Sequence, residues 1–390
     1  MVVNLRILAG RAADARGERA DLAVTVSGGQ IVELETIGRE TTPLAGDFDA
    51  RDCLLLPGFI DIHVHGGAGR AIMEGTADAQ NAIAAHLSRH GVTGFLPTTI
   101  TGPWEQQAQA VDVAAKSLKS PENGQGGAAV LGVHLEGPYI NPKKKGAQPP
   151  QYIRTPDWRD LLHHLGENIR ALKLVTLAPE MEGASGLIRF LTGRNILTSI
   201  GHTDATYAEI SAAIDLGARH VTHCFNAMRQ MEGREPGVVG AAFDRPELSA
   251  ELIWDNIHVH PASCRSLINV KGPEGVILIS DGIPGAGMAE GYRFSLGDLP
   301  VTIRGGAARL PDATLAGSLL TLDRAFANAS DFTLSARSVM TSRNAAVALG
   351  LGSRKGLLSP GYDADLVLLN PDGAVRATFV NGRLVFSDRD

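Results

Sequence analysis

Eight short apolar runs constrain the fold of this chain more than any other feature. They recur about every 30 residues between Gly58 and Asp281, the length of one strand–helix unit. The segments between them include ADAQNAIAAHLSRHG and ATYAEISAAIDLG, which are typical of helices closed by Gly91 and Gly217. The runs are GFIDIHVH, GFLPTTI, AVLGVHLEG, LKLVTLAPE, NILTSIGH, RHVTHCFN, AELIWDNIH and VILISDG. Because such runs suit strands buried on both faces, we predict an α/β fold, a TIM-like (β/α)₈ barrel. A doubly wound open sheet is the alternative.

The two ends of the chain carry a different pattern. Short alternating strands broken by Gly, Asp and Pro occupy the first 55 residues and return near the C-terminus. There Asn381-Gly382 predicts the turn of a hairpin. We therefore predict a small β-sandwich domain built from residues 1–55 plus 355–390, and a barrel domain from residues 56–354. Two unrelated β-appendages are the alternative.

Composition narrows the class of protein. The chain has 390 residues and a formal net charge of −6, which argues against nucleic acid or an anionic membrane as the main partner. Its three cysteines are widely spaced and form no CxxC pair, as in proteins of a reducing compartment. Neither a signal peptide nor an apolar stretch of membrane-spanning length is evident. We expect a cytoplasmic protein with no membrane partner.

Residues of metal-ligand type close five of the eight runs. His63 and His65 lie two apart on one strand, so both imidazoles point to the same side. The carboxyl ends of barrel strands meet at one rim, where barrels keep their chemistry. Imidazoles and carboxylates suit Zn²⁺, Fe²⁺, Mn²⁺ or Co²⁺. The candidate ligands are His63, His65, Glu136, His202, His223 and Asp281.

Each of these residues alone also has a structural explanation. Two histidines on a strand can simply be hydrogen-bonded or exposed, and a lone acid at a strand end is more often the N-cap of the next helix. Six such residues at one rim are hard to obtain from structural needs alone, because burying them without a cation is costly. The sequence therefore predicts a metal centre, with Asp281 as catalytic acid and base.

Six motifs, in order, carry a family resemblance. FIDIHVHG, HLEGPY, GHTDAT, VTHCFNAM, GREPG and SDG resemble the N-acetylglucosamine-6-phosphate deacetylases of the amidohydrolase superfamily. The resemblance runs through nearly the whole chain, up to KGLLSPGYDADLVLLN near the C-terminus. The HxH pair and the late Asp are shared by many superfamily members. HLEGP, HCFNAM and GREPG are much more specific to the deacetylases.

The resemblance implies an activity and a cofactor. The activity is hydrolysis of the acetamide of N-acetyl-D-glucosamine 6-phosphate to D-glucosamine 6-phosphate and acetate, with metal-bound hydroxide as nucleophile. Glu136, His202 and His223 correspond to the main metal ligands. His63 and His65 correspond to a pair that lets some members hold a second metal. One or two divalent ions, zinc first, are therefore expected, and Asp281 corresponds to the catalytic aspartate.

The resemblance also implies substrate contacts and a second subunit. Asn226, the backbone of Ala227 and His258 correspond to sugar-phosphate contacts. Arg234 corresponds to a phosphate-binding arginine that reaches the neighbouring subunit's site, which implies a homodimer. The expected substrate-binding residues are Ala147, Gln148, Asn226, Ala227, Arg234, His258, Leu315, Ala316 and Gly317.

One position departs from the family pattern. Gln148 stands where some deacetylases place a histidine that hydrogen-bonds the scissile carbonyl. Glutamine donates a hydrogen bond but carries no charge, so we expect a second metal at His63 and His65 to polarise the carbonyl. The galacto epimer, or another N-acyl compound, is the alternative substrate. A metal-free amidohydrolase-like scaffold protein is the non-enzymatic alternative, and it predicts gaps in the ligand set that this sequence does not have.

Overall fold

The computed structural model describes residues 5–38, 40–297 and 299–388. The strands are β1 Leu5–Asp14, β2 Gly17–Ser27, β3 Gln30–Thr36, β4 Phe48–Pro57, β5 Phe59–Val64, β6 Gly66–Gly67, β7 Arg70–Ala71, β8 Val92–Thr99, β9 Ala129–Val130, β10 Val133–Glu136, β11 Leu172–Leu177, β12 Leu197–Ile200, β13 His220–Val221, β14 Ser249–Leu252, β15 Val276–Leu278, β16 Arg293–Leu296, β17 Leu299–Arg304, β18 Ala307–Arg309, β19 Leu366–Leu369, β20 Val375–Val380 and β21 Arg383–Ser387.

The α-helices lie mainly between the barrel strands. They are α1 Ala77–Arg89, α2 Trp104–Lys119, α3 Trp158–Leu165, α4 Ala184–Thr192, α5 Tyr207–Leu216, α6 Gly237–Asp244, α7 Pro261–Lys271, α8 Leu322–Asn328, α9 Leu334–Ser338 and α10 Asn344–Ala348. A π-helical turn over Val339–Arg343 joins the last two. Within the described ranges, none of the helices combines the length and the apolar character needed to cross a membrane.

Eight parallel strands form the barrel. They are hydrogen-bonded in the order β5-β8-β10-β11-β12-β13-β14-β15. Gly282, just beyond β15, accepts backbone hydrogen bonds from His65 and Gly66 at 2.7 and 2.8 Å and so brings the last strand against the first. β5 and β8 are buried along their whole lengths, as strands between a packed interior and a layer of helices must be. Each apolar run supplies one of these eight strands, and the predicted (β/α)₈ barrel is confirmed.

Helices α1 and α5 end where the sequence predicts. Gly91 and Gly217 follow them with φ of +78° and +115°, a left-handed backbone that glycine adopts without steric cost. The start of α5 is closed by a capping box. The Thr206 hydroxyl accepts from the Glu209 N–H, and the Glu209 carboxylate accepts from the Thr206 N–H at 2.8 Å. The helix therefore has defined stops at both ends.

The two ends of the chain meet in one seven-stranded sheet, in the order β21-β20-β19-β4-β1-β2-β3. β19 pairs antiparallel with β4, which joins the C-terminal strands to the N-terminal ones. β20 and β21 form the predicted hairpin, and Asn381 and Gly382 both take positive φ, as an Asn-Gly turn requires. The small β domain built from both termini is confirmed. Its exact boundaries stay a prediction, and residues 1–4, 389 and 390 lie outside the described residues.

A three-stranded antiparallel sheet, β16-β17-β18, follows the last barrel strand and was not predicted. Leu296, Val301 and Ala308 from this sheet pack with Ile100 and Ile283 in their own hydrophobic cluster. Leu296 also lines the cavity at the strand ends. The small sheet therefore covers part of the rim on which the predicted ligands lie.

Candidate metal centre

The six predicted ligands converge at the carboxyl rim of the barrel, and all of them are buried. His63 and Glu136 lie on strands β5 and β10, and the other four lie in the loops just beyond strand ends. Donor atoms within each of two groups lie within 4.8 Å of one another. The groups are His63, His65 and Asp281, and Glu136, His202 and His223.

Three of these residues have an unusual backbone. His202, His223 and Asp281 follow strands β12, β13 and β15 with φ of +47°, +28° and +48°. Non-glycine residues rarely adopt this left-handed region, and they persist there only when the surrounding structure holds them. The left-handed turn changes the direction of the chain where each strand ends. This change of direction therefore occurs at the same three residues whose side chains lie in the centre.

The first group joins strand β5 to the loop after β15. The Nε2 atoms of His63 and His65 are 3.1 Å apart. Asp281 Oδ1 lies 3.5 Å from the first and 3.4 Å from the second. Three donors from opposite ends of the barrel sequence thus surround one small volume.

The second group lies beside the first. Glu136, a member of the second group, also lies close to the two histidines of the first. Its Oε1 is 3.2 Å from His202 Nε2 and 3.0 Å from His223 Nε2. The same oxygen is 3.4 Å from His63 Nε2, and Oε2 is 3.5 Å from His65 Nε2. The two oxygens of one carboxylate therefore lie close to histidines of both groups.

The hydrogen bonds on the outer edges of the rings show that the donor set fits a cation. His65 Nδ1 lies 3.2 Å from the Thr98 carbonyl, and His202 Nδ1 lies 2.8 Å from the Lys144 carbonyl. Carbonyl oxygens only accept, so in a neutral ring the proton is on Nδ1 and Nε2 presents a lone pair. The Nε2 atom of His65 faces the Nε2 atom of His63 at 3.1 Å. Two donors that each lie about 2.1 Å from one cation, at tetrahedral angles, are roughly 3.4 Å apart. The observed separation of 3.1 Å is close to that distance.

Charges around the centre keep the carboxylates ionised. Burial acts to raise the pKa of Glu136, but the charges of His202 and His63 outweigh it and hold this pKa well below its usual range. Burial likewise opposes ionisation of Asp281, and His63 and His65 nevertheless hold its pKa below the usual value. Burial alone would lower the pKa of His63, whereas the charges of Glu251 and Asp281 raise it well above normal. Protons on histidines therefore balance the acids when no cation does, and a cation replaces those protons.

Gln148 contacts the centre. The Thr101 N–H donates to its Oε1 at 3.0 Å, and a backbone N–H can only donate, so this contact fixes which end of the amide is oxygen. The amide nitrogen then donates to Glu136 Oε2 at 2.7 Å and lies 3.2 Å from His202 Nε2. Gln148 thus places an N–H donor at the edge of the centre, beside a predicted ligand.

Two acids that sequence reasoning missed contact predicted site residues: Glu251 is buried and Asp255 is half-buried. Glu251, on β14, lies 2.9 Å from His63 Nδ1. Asp255 Oδ2 lies 2.6 Å from His258 Nδ1. Burial alone would lower the pKa of His258, but the hydrogen bond and charge of Asp255 raise it above its usual value. The sequence feature that could have revealed them is the presence of two acids in the otherwise apolar run AELIWDNIH. An acid buried in such a run needs a polar partner.

A cavity of about 220 Å³ opens onto the centre. Arg234 is exposed and does not line this cavity, and Ala316 is buried behind it. His63 is fully buried and lies beneath it. The predicted site residues that line it are His65, Glu136, Ala147, Gln148, His202, His223, Asn226, Ala227, His258, Asp281, Leu315 and Gly317.

Residues 54–385 match the amidohydrolase family, and this match agrees with the fold and the donor set. This chain belongs to the amidohydrolase family. A curated relative, the N-acetylglucosamine-6-phosphate deacetylase of Bacillus subtilis (strain 168), is 38% identical over 94% of this amidohydrolase and 93% of the relative. The N-acetylgalactosamine-6-phosphate deacetylase of Escherichia coli O157:H7 is 37% identical over 93% of this chain and 94% of the relative.

A solved structure is similar over nearly the whole amidohydrolase chain. It is an aspartate-to-alanine mutant of N-acetyl-D-glucosamine-6-phosphate deacetylase from Mycobacterium smegmatis in complex with N-acetyl-D-glucosamine-6-phosphate. The TM-score is 0.91 at 30% identity, and the match covers 98% of this chain and 100% of that one. The barrel and the terminal sheet therefore form one arrangement common to both proteins.

Proposed function

We propose that this amidohydrolase hydrolyses the acetamide of N-acetyl-D-glucosamine 6-phosphate to D-glucosamine 6-phosphate and acetate. The observation that carries the proposal is the pair of adjacent ligand groups, bridged by Glu136, at the floor of a cavity that also presents Asp281 and His258. The B. subtilis deacetylase, 38% identical over nearly its full length, supports the substrate.

We infer that the centre holds one or two divalent ions, with zinc as the first candidate and Fe²⁺, Mn²⁺ or Co²⁺ as the others. His63, His65 and Asp281 would hold one ion, and Glu136, His202 and His223 would hold the other. When bound, a divalent cation at this centre supplies Lewis-acid chemistry that acidifies water and polarises an acyl carbonyl.

Asp281 serves as the general base and then the general acid. Its pKa is held below the usual value, so at neutral pH it is a carboxylate ready to accept a proton from the attacking water. The same carboxyl then returns that proton to the departing amide nitrogen, which leaves as a neutral amine. Gln148, at the cavity wall, donates its amide N–H to Glu136 Oε2 and so holds that carboxylate in place.

The substrate's sugar and phosphate occupy the outer part of the cavity. Asn226, the backbone of Ala227 and His258 bind the sugar phosphate. Ala147, Leu315 and Gly317 form the wall around the sugar, and Ala316 lies buried behind that wall. The hydrogen bond and charge of Asp255 raise the pKa of His258, which favours the imidazolium form, and an imidazolium there favours an anionic substrate.

Arg234 completes the phosphate site from the neighbouring subunit of a homodimer. Its side chain is exposed and lies outside the cavity of its own subunit, which suits a residue that acts in another. Guanidinium can grip two phosphate oxygens at once. The cytoplasmic location and the absence of nucleic-acid and membrane partners stay predictions from composition.

The galacto epimer is a second candidate substrate. The E. coli O157:H7 relative, named for N-acetylgalactosamine 6-phosphate, is 37% identical, within one per cent of the B. subtilis enzyme. The two sugars differ only at one hydroxyl, so the choice depends on hydrogen bonds made by the cavity wall. A site built to hydrogen-bond a hydroxyl in one configuration can discriminate strongly against a substrate that does not present a hydroxyl there.

The test compares acetate release from three substrates. We expect turnover of N-acetylglucosamine 6-phosphate, with slower turnover of its galacto epimer and of unphosphorylated N-acetylglucosamine. Faster turnover of the galacto epimer would replace the first candidate by the second. Elemental analysis of protein purified without chelator addresses the non-enzymatic alternative, because protein that carries no metal and binds none contradicts the enzyme proposal.

A further inference from the structure

The side chain of Glu251 links the two ligand groups from beneath. It lies on β14 inside the barrel and is fully buried. Its Oε2 is 2.9 Å from His63 Nδ1 and accepts from the His223 N–H at 3.0 Å. Its Oε1 lies 3.2 Å from His220 Nε2. One oxygen thus contacts a ligand of each group.

The contacts fix the protonation pattern of the His63 ring. The His223 N–H can only donate, so the shared oxygen of Glu251 is an acceptor. A carboxylate in that place also accepts from His63 Nδ1–H, so in a neutral His63 ring Nε2 presents its lone pair toward the ligand group of His65. The carboxylate charge in addition makes the ring a stronger donor to a cation.

Strand pairing does not account for this side chain. β13 and β14 are joined through their backbones, and the Cys224 N–H donates to the Glu251 carbonyl at 2.9 Å. Those bonds need no particular residue at position 251. A carboxylate in the barrel interior is costly to bury, so its presence calls for a use of its charge.

We propose that Glu251 is a positioning residue of the metal centre, which sets the tautomer and orientation of His63 and ties it to the His223 backbone. The inference rests on the proposed metal centre. The group of His63, His65 and Asp281 is then the one that depends on Glu251. Its ligand side chain His63 contacts the Glu251 carboxylate directly. The group of Glu136, His202 and His223 touches Glu251 only through a main-chain N–H.

The test is Glu251→Gln, which keeps the shape and removes the charge. The amide oxygen takes the place that faces the His223 N–H, and the amide nitrogen faces His220 Nε2, which can accept. We expect the zinc affinity of one of the two sites to fall about 10- to 100-fold, and that of the other to change less than about threefold. Zinc affinities come from competition with a chromophoric chelator, and kcat should fall more than KM changes.

The matched control is Asp363→Asn, which removes a buried carboxylate that pairs with Arg354 and Lys355 beside the terminal sheet. It should lower thermal stability and leave both zinc affinities unchanged. If Glu251→Gln keeps both affinities, or weakens both equally, the inference is overturned while the metal centre stands. Wild-type protein that binds no zinc overturns the centre itself.

A measurement on the unaltered protein decides the matter if Glu251→Gln does not fold. Nitrogen-15 NMR of the histidine rings in the zinc-loaded protein, with His63 assigned through His63→Gln, should show a proton on His63 Nδ1. A His63 ring without that proton overturns the inference.

Discussion

At the scale of single residues, the ligand histidines show how the site is arranged before a cation binds. Each ring presents Nε2 to the centre, and His63, His65 and His202 hold the opposite nitrogen against a fixed acceptor. Those acceptors set the ring orientation and the tautomer. A cation therefore meets donors that are already aimed, and little side-chain entropy is lost on binding.

Asp281→Asn tests the residue that moves the proton. Asparagine keeps the size of the side chain and cannot act as a base, so we expect turnover to fall by at least ~100-fold. Acetate release from N-acetylglucosamine 6-phosphate measures it, with zinc content determined on the same sample. Asp312→Asn, at an exposed aspartate, is the control and should leave turnover unchanged. A loss under about threefold in Asp281→Asn would show that Asp281 has been given the wrong role.

Asp255→Asn tests the charge on the cavity wall. Asp255 raises the pKa of His258, so the imidazolium persists above its ordinary pH range and is lost as pH rises through the raised pKa. Affinity for the anionic substrate should fall with that loss. In Asp255→Asn the pKa of His258 drops, and the rise in KM should move to lower pH. Profiles of KM against pH measure this; coincident profiles for the two proteins would contradict it.

The ligands were predictable from sequence because each closes an apolar run, and the end of a run marks the end of a strand. Glu251 was not, because it lies inside a run and its partner His63 is 188 positions away. Asp255 also lies inside a run, and its contact with His258 depends on the fold of the loop after β14. The positive φ of His202 and His223 likewise leaves no trace in residue type.

At the scale of elements, the loop from β12 to α5 connects chemistry to stability. It carries His202 near its start and ends in the capping box of Thr206 and Glu209. The cap satisfies backbone N–H groups at the start of α5 and so fixes where the loop ends.

Thr206→Ala removes that cap. We expect the free energy of unfolding to fall by ~1 kcal/mol, the usual cost of losing an N-cap hydroxyl. Urea denaturation measures it. Thr206→Ser keeps a capping hydroxyl and should stay close to the wild type. Equal losses in the two variants would show that the threonine methyl group, rather than the hydroxyl, is responsible.

The eight strands and the hairpin were predictable because hydrophobic period and turn residues are local signals. The sheet β16-β17-β18 was missed because residues 56–354 were assigned to the barrel as a whole. Its segments RFSL and LPVTIR are short and flanked by glycines. This pattern could have predicted consecutive antiparallel strands within that range, as the structure shows.

At the scale of the whole molecule, a buried ion pair joins the end of the barrel to the terminal sheet. Lys355 Nζ lies 2.9 Å from Asp363 and also contacts Asp365. Asp365 in turn accepts from the Asn381 N–H of the hairpin turn at 2.8 Å. The lysine therefore connects the chain after α10 to the hairpin that closes the sheet.

Lys355→Met tests this connection. It leaves the two aspartates buried without the lysine, so the free energy of unfolding should fall by ~3–5 kcal/mol. The control is Lys116→Met, which removes an exposed ion pair with Asp112 and should cost ~0.5 kcal/mol or less. Denaturation curves of both proteins measure the difference, and similar small losses in the two would contradict the role given to Lys355.

The central claim is that this chain is a metal-dependent deacetylase of a phosphorylated amino sugar. The most direct measurement follows acetate and glucosamine 6-phosphate released from N-acetylglucosamine 6-phosphate by the protein as purified, after chelation, and after zinc is restored. We predict equal amounts of the two products, loss of activity on chelation and its recovery with zinc. Undiminished release by metal-free protein, or no release by zinc-loaded protein from either epimer, would contradict the claim.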